Sequence, residues 1–426
     1  MREILRRHQD FLQNIAIVLL ALTAVLLFAQ TQLYTLGASA GASYLDYLLD
    51  GDTPQTAGSP ADLLSGLPAP VRIAVTGVFE GRYGNTALTT GGEAFEPLGS
   101  LFRETLGSAQ TFERCSPQEF LQALTNRSVY CDFLNPLPLS VAAGLSAASW
   151  EENGVLVRYL AAAAGDDGTV TLYVWDGGES CLRCGTAVSE EELDRIINRY
   201  EFNGAMFAFD AGGLSSLSPC SLLPADVTSL PSLTASVSLP GMETLLSSLG
   251  FYPRTNSRYP EADGTEVITE GSRSLRVGTD GVIRYRDGGE NTLSISAAGE
   301  IPTIPEAAAG VWTLLNGLLS PYSGEAALYL ESMSQTESST TLTFGLQAGG
   351  VPIRSADGSP AAQATLSGKS VTALSLRYRQ YTAGQSTPLL PLRQTLGIAS
   401  ALPGADLSIG YADNGGSEIT AQWLAD

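Results

Sequence analysis

The chain is expected to fold as an α+β protein. One N-terminal transmembrane helix should precede an extracytoplasmic ectodomain of two or three modules, each with helices packed on antiparallel sheet. Three observations lead there. No charged side chain stands between Asp10 and Asp46. From residue 70 onward, short segments alternate apolar and polar with the period of half-buried strands. Ser116, Ser189 and Thr303 each stand three residues before a glutamate and open apolar runs of helical spacing, the signature of a capping box.

Residues 1–10 carry Arg2, Arg6 and Arg7 and read as a cytoplasmic tail. Residues 11–36 read as the anchor, because Asn14–Ala29 is almost wholly apolar and about 20 such residues cross a bilayer core. No Lys or Arg follows until Arg72, so the positive flank stays in the cytoplasm and the remaining mass lies outside. The competing reading is a cleaved signal peptide, with Ala38-Ser39-Ala40 as its cleavage site. Residues 37–69 are small and Gly/Ser/Pro-rich, as in a juxtamembrane linker.

An N-terminal α+β region is expected over 70–210. Its strands are Val71–Val75, Val129–Leu134, Val155–Leu160 and Thr169–Trp175, with Val170, Leu172 and Val174 sharing one face. Pro117 follows the Ser116 cap and favours a helix to about Asn126. The Ser189 cap opens a helix with Leu193, Ile196 and Ile197 on one side. Residues 211–240 hold Pro219, Pro224, Pro231 and Pro240 and one charged residue, Asp226, so they read as a linker.

The C-terminal region, 241–426, divides into candidate modules 241–300 and 301–426. A helix near Met242–Leu249 precedes strands at Glu266–Thr269, Ser274–Gly278 and Val282–Tyr285, the last two joined by an Asp280-Gly281 hairpin turn. The Thr303 box opens a helix carrying Val311, Leu314, Leu315 and Leu318. Strands at Ala326–Glu331, Thr340–Leu346 and Val371–Tyr378, a helix near Leu389–Ala399, and strands at Asp406–Tyr411 and Glu418–Trp423 complete it.

The composition removes much chemistry. In 426 residues there is a single histidine, His8, and a single lysine, Lys369. A Ser–His–Asp triad therefore cannot assemble outside the membrane. Gly37-Ala38-Ser39-Ala40-Gly41 matches a nucleophile-elbow pattern but lacks the strand and helix such a turn needs. Acidic residues outnumber basic ones 44 to 23, a net charge of −21, which repels nucleic acid. Cys181-Leu182-Arg183-Cys184 has the spacing of a local disulfide, a zinc pair or a redox pair, or holds ordinary thiols. Gly177-Gly178 beside it points to a loop. No histidine is present to complete a mixed zinc site. The sequence thus offers no catalytic set, no metal set and no cofactor-binding set. The arginine–tyrosine alternation of Arg377–Tyr381 reads as a half-exposed strand or a binding face.

Several stretches resemble the YycH/YycI (WalH/WalI) family. They are Leu249–Pro253 with Asn256–Tyr259, Ser274–Tyr285, Gly349–Ile353 and Asp132–Ser140. The resemblance implies a non-enzymatic, single-pass protein of the cell membrane. It would modulate a WalK-like sensor histidine kinase of a two-component system governing cell-wall homeostasis. The implied partners are that kinase and a paralogous YycH/YycI-type protein, met partly through the span. There Ala16, Ala21, Thr23 and Ala24 offer small packing positions. An envelope binding or assembly module for peptide, wall polymer or another membrane protein is the alternative.

Overall fold

In the structure, a computed structural model, residues 72–79, 82–89, 96–142, 154–210, 217–224, 227–252, 256–289, 293–399, 401–402 and 404–425 are described. They belong to one compact unit. The expected tail, anchor and juxtamembrane linker, with Ala16, Ala21, Thr23 and Ala24, lie outside the described residues. Among the described residues no helix is long and apolar enough to cross a membrane.

The first half builds a seven-stranded antiparallel sheet. Its strands are β1 (Arg72–Phe79), β2 (Arg82–Thr89), β3 (Glu113–Arg114), β4 (Ser128–Pro138), β5 (Leu156–Ala164), β6 (Thr169–Trp175) and β7 (Cys181–Ser189), in the order β2-β1-β4-β5-β6-β7-β3. The helices are α1 (Glu96–Ser108), α2 (Pro117–Leu124), the single turn α3 (Leu139–Ala142) and α4 (Glu190–Ile197). Strand alternation gives this sheet two buried faces. Ile73, Val75, Val129, Leu160, Leu172 and Val174 share a core with α1 and α4. Tyr130, Tyr159 and Trp175 on the other face meet Phe120 of α2, and Phe207 stands edge-on to Tyr130. Each fully buried ring contributes about 1.5–3 kcal/mol.

The expected helix starts have a clear local cause. Ser116 accepts from the Glu119 amide, and its own amide donates to the Glu119 carboxylate at 2.8 Å, a complete box. Ser189 accepts from Glu192, whose carboxylate turns to Arg195 at 3.4 Å, so only half of that box forms.

The second half adds β8 (Met206–Phe207), β9 (Leu222–Leu223), β10 (Ser229–Val237), β11 (Ser257–Pro260), β12 (Glu266–Glu270), β13 (Arg273–Val277) and β14 (Val282–Arg286). Then follow β15 (Ala326–Gln335), β16 (Thr340–Ala348), β17 (Val351–Ser355), β18 (Ala362–Ser367), β19 (Ser370–Arg377) and β20 (Arg379–Pro388). The chain closes with β21 (Leu407–Asp413), β22 (Glu418–Ile419) and β23 (Ala421–Ala425). The helices are α5 (Met242–Ser248), α6 (Ile304–Ser323) and α7 (Leu392–Ala399).

An eleven-stranded sheet runs β11-β12-β13-β14-β19-β18-β16-β17-β21-β23, with β15 on the free edge of β16. Only β17 and β21 pair in parallel among its described ladders. The β13–β14 hairpin forms as expected. Gly281 takes φ +83, and a Cβ there would stand 2.6 Å from the Tyr378 carbonyl. Thr303 and Glu306 make a full capping box for α6.

Residues 211–240, expected as a linker, contain β9 and β10. Strand β10 lies between β20 and β22, and Leu233 and Ala235 are buried in the main core. Proline is accommodated because Pro231 sits where the β10–β20 register slips, at an irregularity that needs no ladder donor. The Arg377–Tyr381 stretch also differs from expectation. Tyr378, Arg379 and Tyr381 are buried, and Tyr381 Oη and Arg379 Nε both donate to Asp413 Oδ2, at 2.7 and 2.6 Å.

Limited proteolysis of the folded chain should spare 229–237, because the strand is paired with β20 and β22 and Ser232, Leu233 and Ala235 are buried. Early cleavage inside that segment would show that β10 does not hold its place.

Candidate functional site

The strongest polar feature begins with two arginines in otherwise apolar strands, Arg72 in β1 and Arg158 in β5. Arg72 stands directly opposite Asp132 of β4, and its Nη1 lies 3.3 Å from Asp132 Oδ2. Arg158 Nε lies 3.4 Å from Asp132 Oδ1. The fourth charge comes from far along the chain. Asp406, just before β21, takes Arg72 at 3.2 Å and Arg158 at 2.5 Å. Ser221, just before β9, donates to Asp406 at 2.7 Å, and its oxygen accepts from the Leu407 amide at 3.2 Å.

Two guanidinium and two carboxylate groups thus close on one another with no net charge. Burial is the largest influence on Asp132, whose side chain is 1% exposed, and holds its carboxyl above the ordinary range despite both arginines. Burial also weighs most on Asp406, but Arg72, Arg158 and the Ser221 hydroxyl together overcome it and hold that carboxyl low. Asp132 additionally accepts from the Leu134 amide at 2.8 Å, which fixes Leu134 at φ +68. A non-glycine residue there costs about 1–3 kcal/mol. The result is that Leu134 packs on Tyr329 of β15. The first sheet is therefore joined to the second half by ions at one point and by Leu134 at another.

The Ser221 hydroxyl in this cluster is engaged by Asp406 and the Leu407 amide. Among the described residues no group of three or more His, Cys, Asp or Glu side chains is placed to hold a metal ion. The cluster holds the start of β21 against the first sheet. That segment carries a second feature. Leu407, beside Asp406, belongs to a small core with Ala208, Leu217, Leu223 and Ala399. Above it opens an apolar cleft of about 350 Å³, lined by Leu390, Thr395, Ile398, Leu402, Leu407 and Trp423 among others. Trp423 is oriented by its indole N–H, which donates to the Leu390 carbonyl at 2.9 Å. Ile398 is 63% exposed and Leu402 48%. Such a rim suits contact with an apolar partner surface.

Cys181 and Cys184 do not lie in a loop; both are in β7. Residues three apart on a strand face opposite sides, and Cys181 packs in the aromatic core while Cys184 packs under α1 and α4. The thiol beside Cys181 is that of Cys115, 2.8 Å away. Sequence reading missed Cys115 because 66 residues separate the two. It also missed the ion cluster, although Arg72 and Arg158 inside apolar strands were a signal: a charge in a doubly buried strand needs partners.

No protein-family model matches the chain, and no curated protein matches it in sequence. Among solved structures, the crystal structure of YycH from Bacillus subtilis is similar, with a TM-score of 0.55 at 11% identity. The likeness covers 85% of this chain and 94% of that one. The chain therefore has a YycH-like fold.

Replacing Asp406 by Asn should lower unfolding free energy by about 3 kcal/mol, the low end for a buried pair, because two partly buried arginines lose a counter-charge. Urea denaturation at neutral pH measures it. Since the folded-state pKa of Asp406 is depressed, its contribution is full above about pH 4 and is lost as pH falls through the folded value. The wild-type and Asp406→Asn curves should therefore converge in acid.

Proposed function

We propose that this chain is a membrane-anchored extracytoplasmic accessory protein that modulates a WalK-like sensor histidine kinase governing cell-wall homeostasis. It acts by protein–protein contact and turns over no substrate. The observation that carries the reading is the YycH-like fold over most of the chain, reached independently of the sequence stretches that resemble YycH/YycI proteins. The uncharged run from Phe11 to Leu45 behind three arginines supports an anchor with its N-terminus in the cytoplasm. A paralogous YycH/YycI-type protein is the second proposed partner.

Contact within the membrane would use Ala16, Ala21, Thr23 and Ala24. Lipid is as apolar as leucine, so helices associate there through close packing at small residues. Each such contact is worth about 0.6–2 kcal/mol, and the ectodomain, tethered beside its partner, supplies the rest. The cleft rimmed by Ile398 and Leu402 is the surface we assign to the kinase's extracytoplasmic portion. The same cleft also favours the second reading, an envelope binding or assembly module that takes an apolar peptide segment.

Introducing Leu at both Ala21 and Ala24 should reduce recovery of a co-expressed sensor kinase by about 3- to 30-fold. Ile398→Asp should weaken it further while leaving thermal stability within about 0.5 kcal/mol, because that side chain is exposed. Undiminished kinase recovery by the combined variant, measured by co-purification in mild detergent, would reject kinase contact through these surfaces. Loss of a bound peptide with kinase recovery intact would favour the second reading.

A further inference from the structure

We propose that Cys115 and Cys181 form a thiol–disulfide exchange site that closes into an intrachain disulfide on meeting a small-molecule or protein disulfide. This is independent of the proposed function. The placement comes from the sheet. The β3–β7 register sets Glu113 against Arg183 and Arg114 against Leu182, so Cys115 stands opposite Cys181. The Cys115 amide continues the ladder by donating to the Cys181 carbonyl at 3.0 Å. Residues facing each other in a hydrogen-bonded antiparallel pair have Cα atoms about 5.5 Å apart, within the range a disulfide bridges. Their sulfurs lie 2.8 Å apart with both thiols free.

The surroundings give the two thiols different parts. Cys115 is partly exposed, at the sheet edge just before the N-cap of α2, and Cys181 is buried behind it. The Cys181 thiol's hydrogen bond holds the Cys115 pKa below the ordinary value, against burial and Glu119 and with help from Arg183. The Cys115 thiolate therefore attacks the incoming disulfide, forms a mixed disulfide and releases one thiolate. Cys181 then gives its proton to water and attacks the Cys115 sulfur, expelling the second thiolate. Two protein thiols become one disulfide while the reagent is reduced to two thiols, so electrons and protons balance. The other cysteines are kept out by position: Cys184 faces the opposite side of β7, and Cys131 and Cys220 are buried.

The test is oxidation of the reduced, full-length protein by oxidised glutathione, followed by alkylation, digestion and mass spectrometry. The expected product is one Cys115–Cys181 cross-linked peptide lacking two hydrogens, with Cys131, Cys184 and Cys220 still alkylatable after unfolding. Closing a loop of this length should raise Tm by about 5–10 °C, reversibly with dithiothreitol. Cys181→Ser should leave Cys115 as a lasting glutathione mixed disulfide, whereas Cys115→Ser should leave the buried Cys181 unmodified. Free thiols at both positions in the oxidised wild type would overturn the proposal. So would a Cys181–Cys184 bond or a dimer linked through Cys115.

Discussion

A closed set of two partly buried guanidinium and two buried carboxylate groups joins the first sheet to the start of β21. Charges taken out of water are tolerated only when paired, so Arg72 and Arg158 need both Asp132 and Asp406 in position. Asp132 comes from the same sheet as the arginines; Asp406 comes from 248 residues beyond Arg158. Meeting that demand brings the start of β21 against the first sheet, with Ser221 satisfying the remaining lone pair. A hydrophobic contact at this point would tolerate sliding, whereas the ion set does not. Because Asp406 and Leu407 are consecutive, fixing the carboxylate also fixes the floor of the apolar cleft.

Much of the fold was legible in the sequence where local chemistry decides it. Thr169–Trp175 alternates cleanly and is a strand with those bounds, and the Ser116 and Thr303 boxes start helices where expected. Elements chosen by distant partners were not legible. Strand β10 holds three serines and Pro231, and becomes a strand because β20 lies beside it and its irregularity absorbs Pro231. The cysteine pair shows the same limit. Spacing pointed from Cys181 to Cys184, but a strand turns those two side chains apart and long-range pairing brings Cys115 instead. At the candidate interface, the helix near Leu389–Ala399 was readable. That its apolar rim stays exposed depends on β23 and the small core beneath, which no local pattern encodes.

The proposed accessory role rests on shape and charge. The chain's strong negative charge favours solubility and restricts partners to those with basic or apolar surfaces, which suits selective contact better than adhesion to anionic polymers. The contacts of Asp406 link the floor of the cleft to the first sheet. The most direct measurement is site-specific photo-cross-linking in intact membranes. A photoreactive residue at position 398, with one at the exposed position Glu337 on a different strand connection as control, would be irradiated in cells. The account predicts a covalent adduct with a sensor histidine kinase from position 398 and none from position 337. Adducts equal at the two positions, or no kinase adduct from 398, would contradict it.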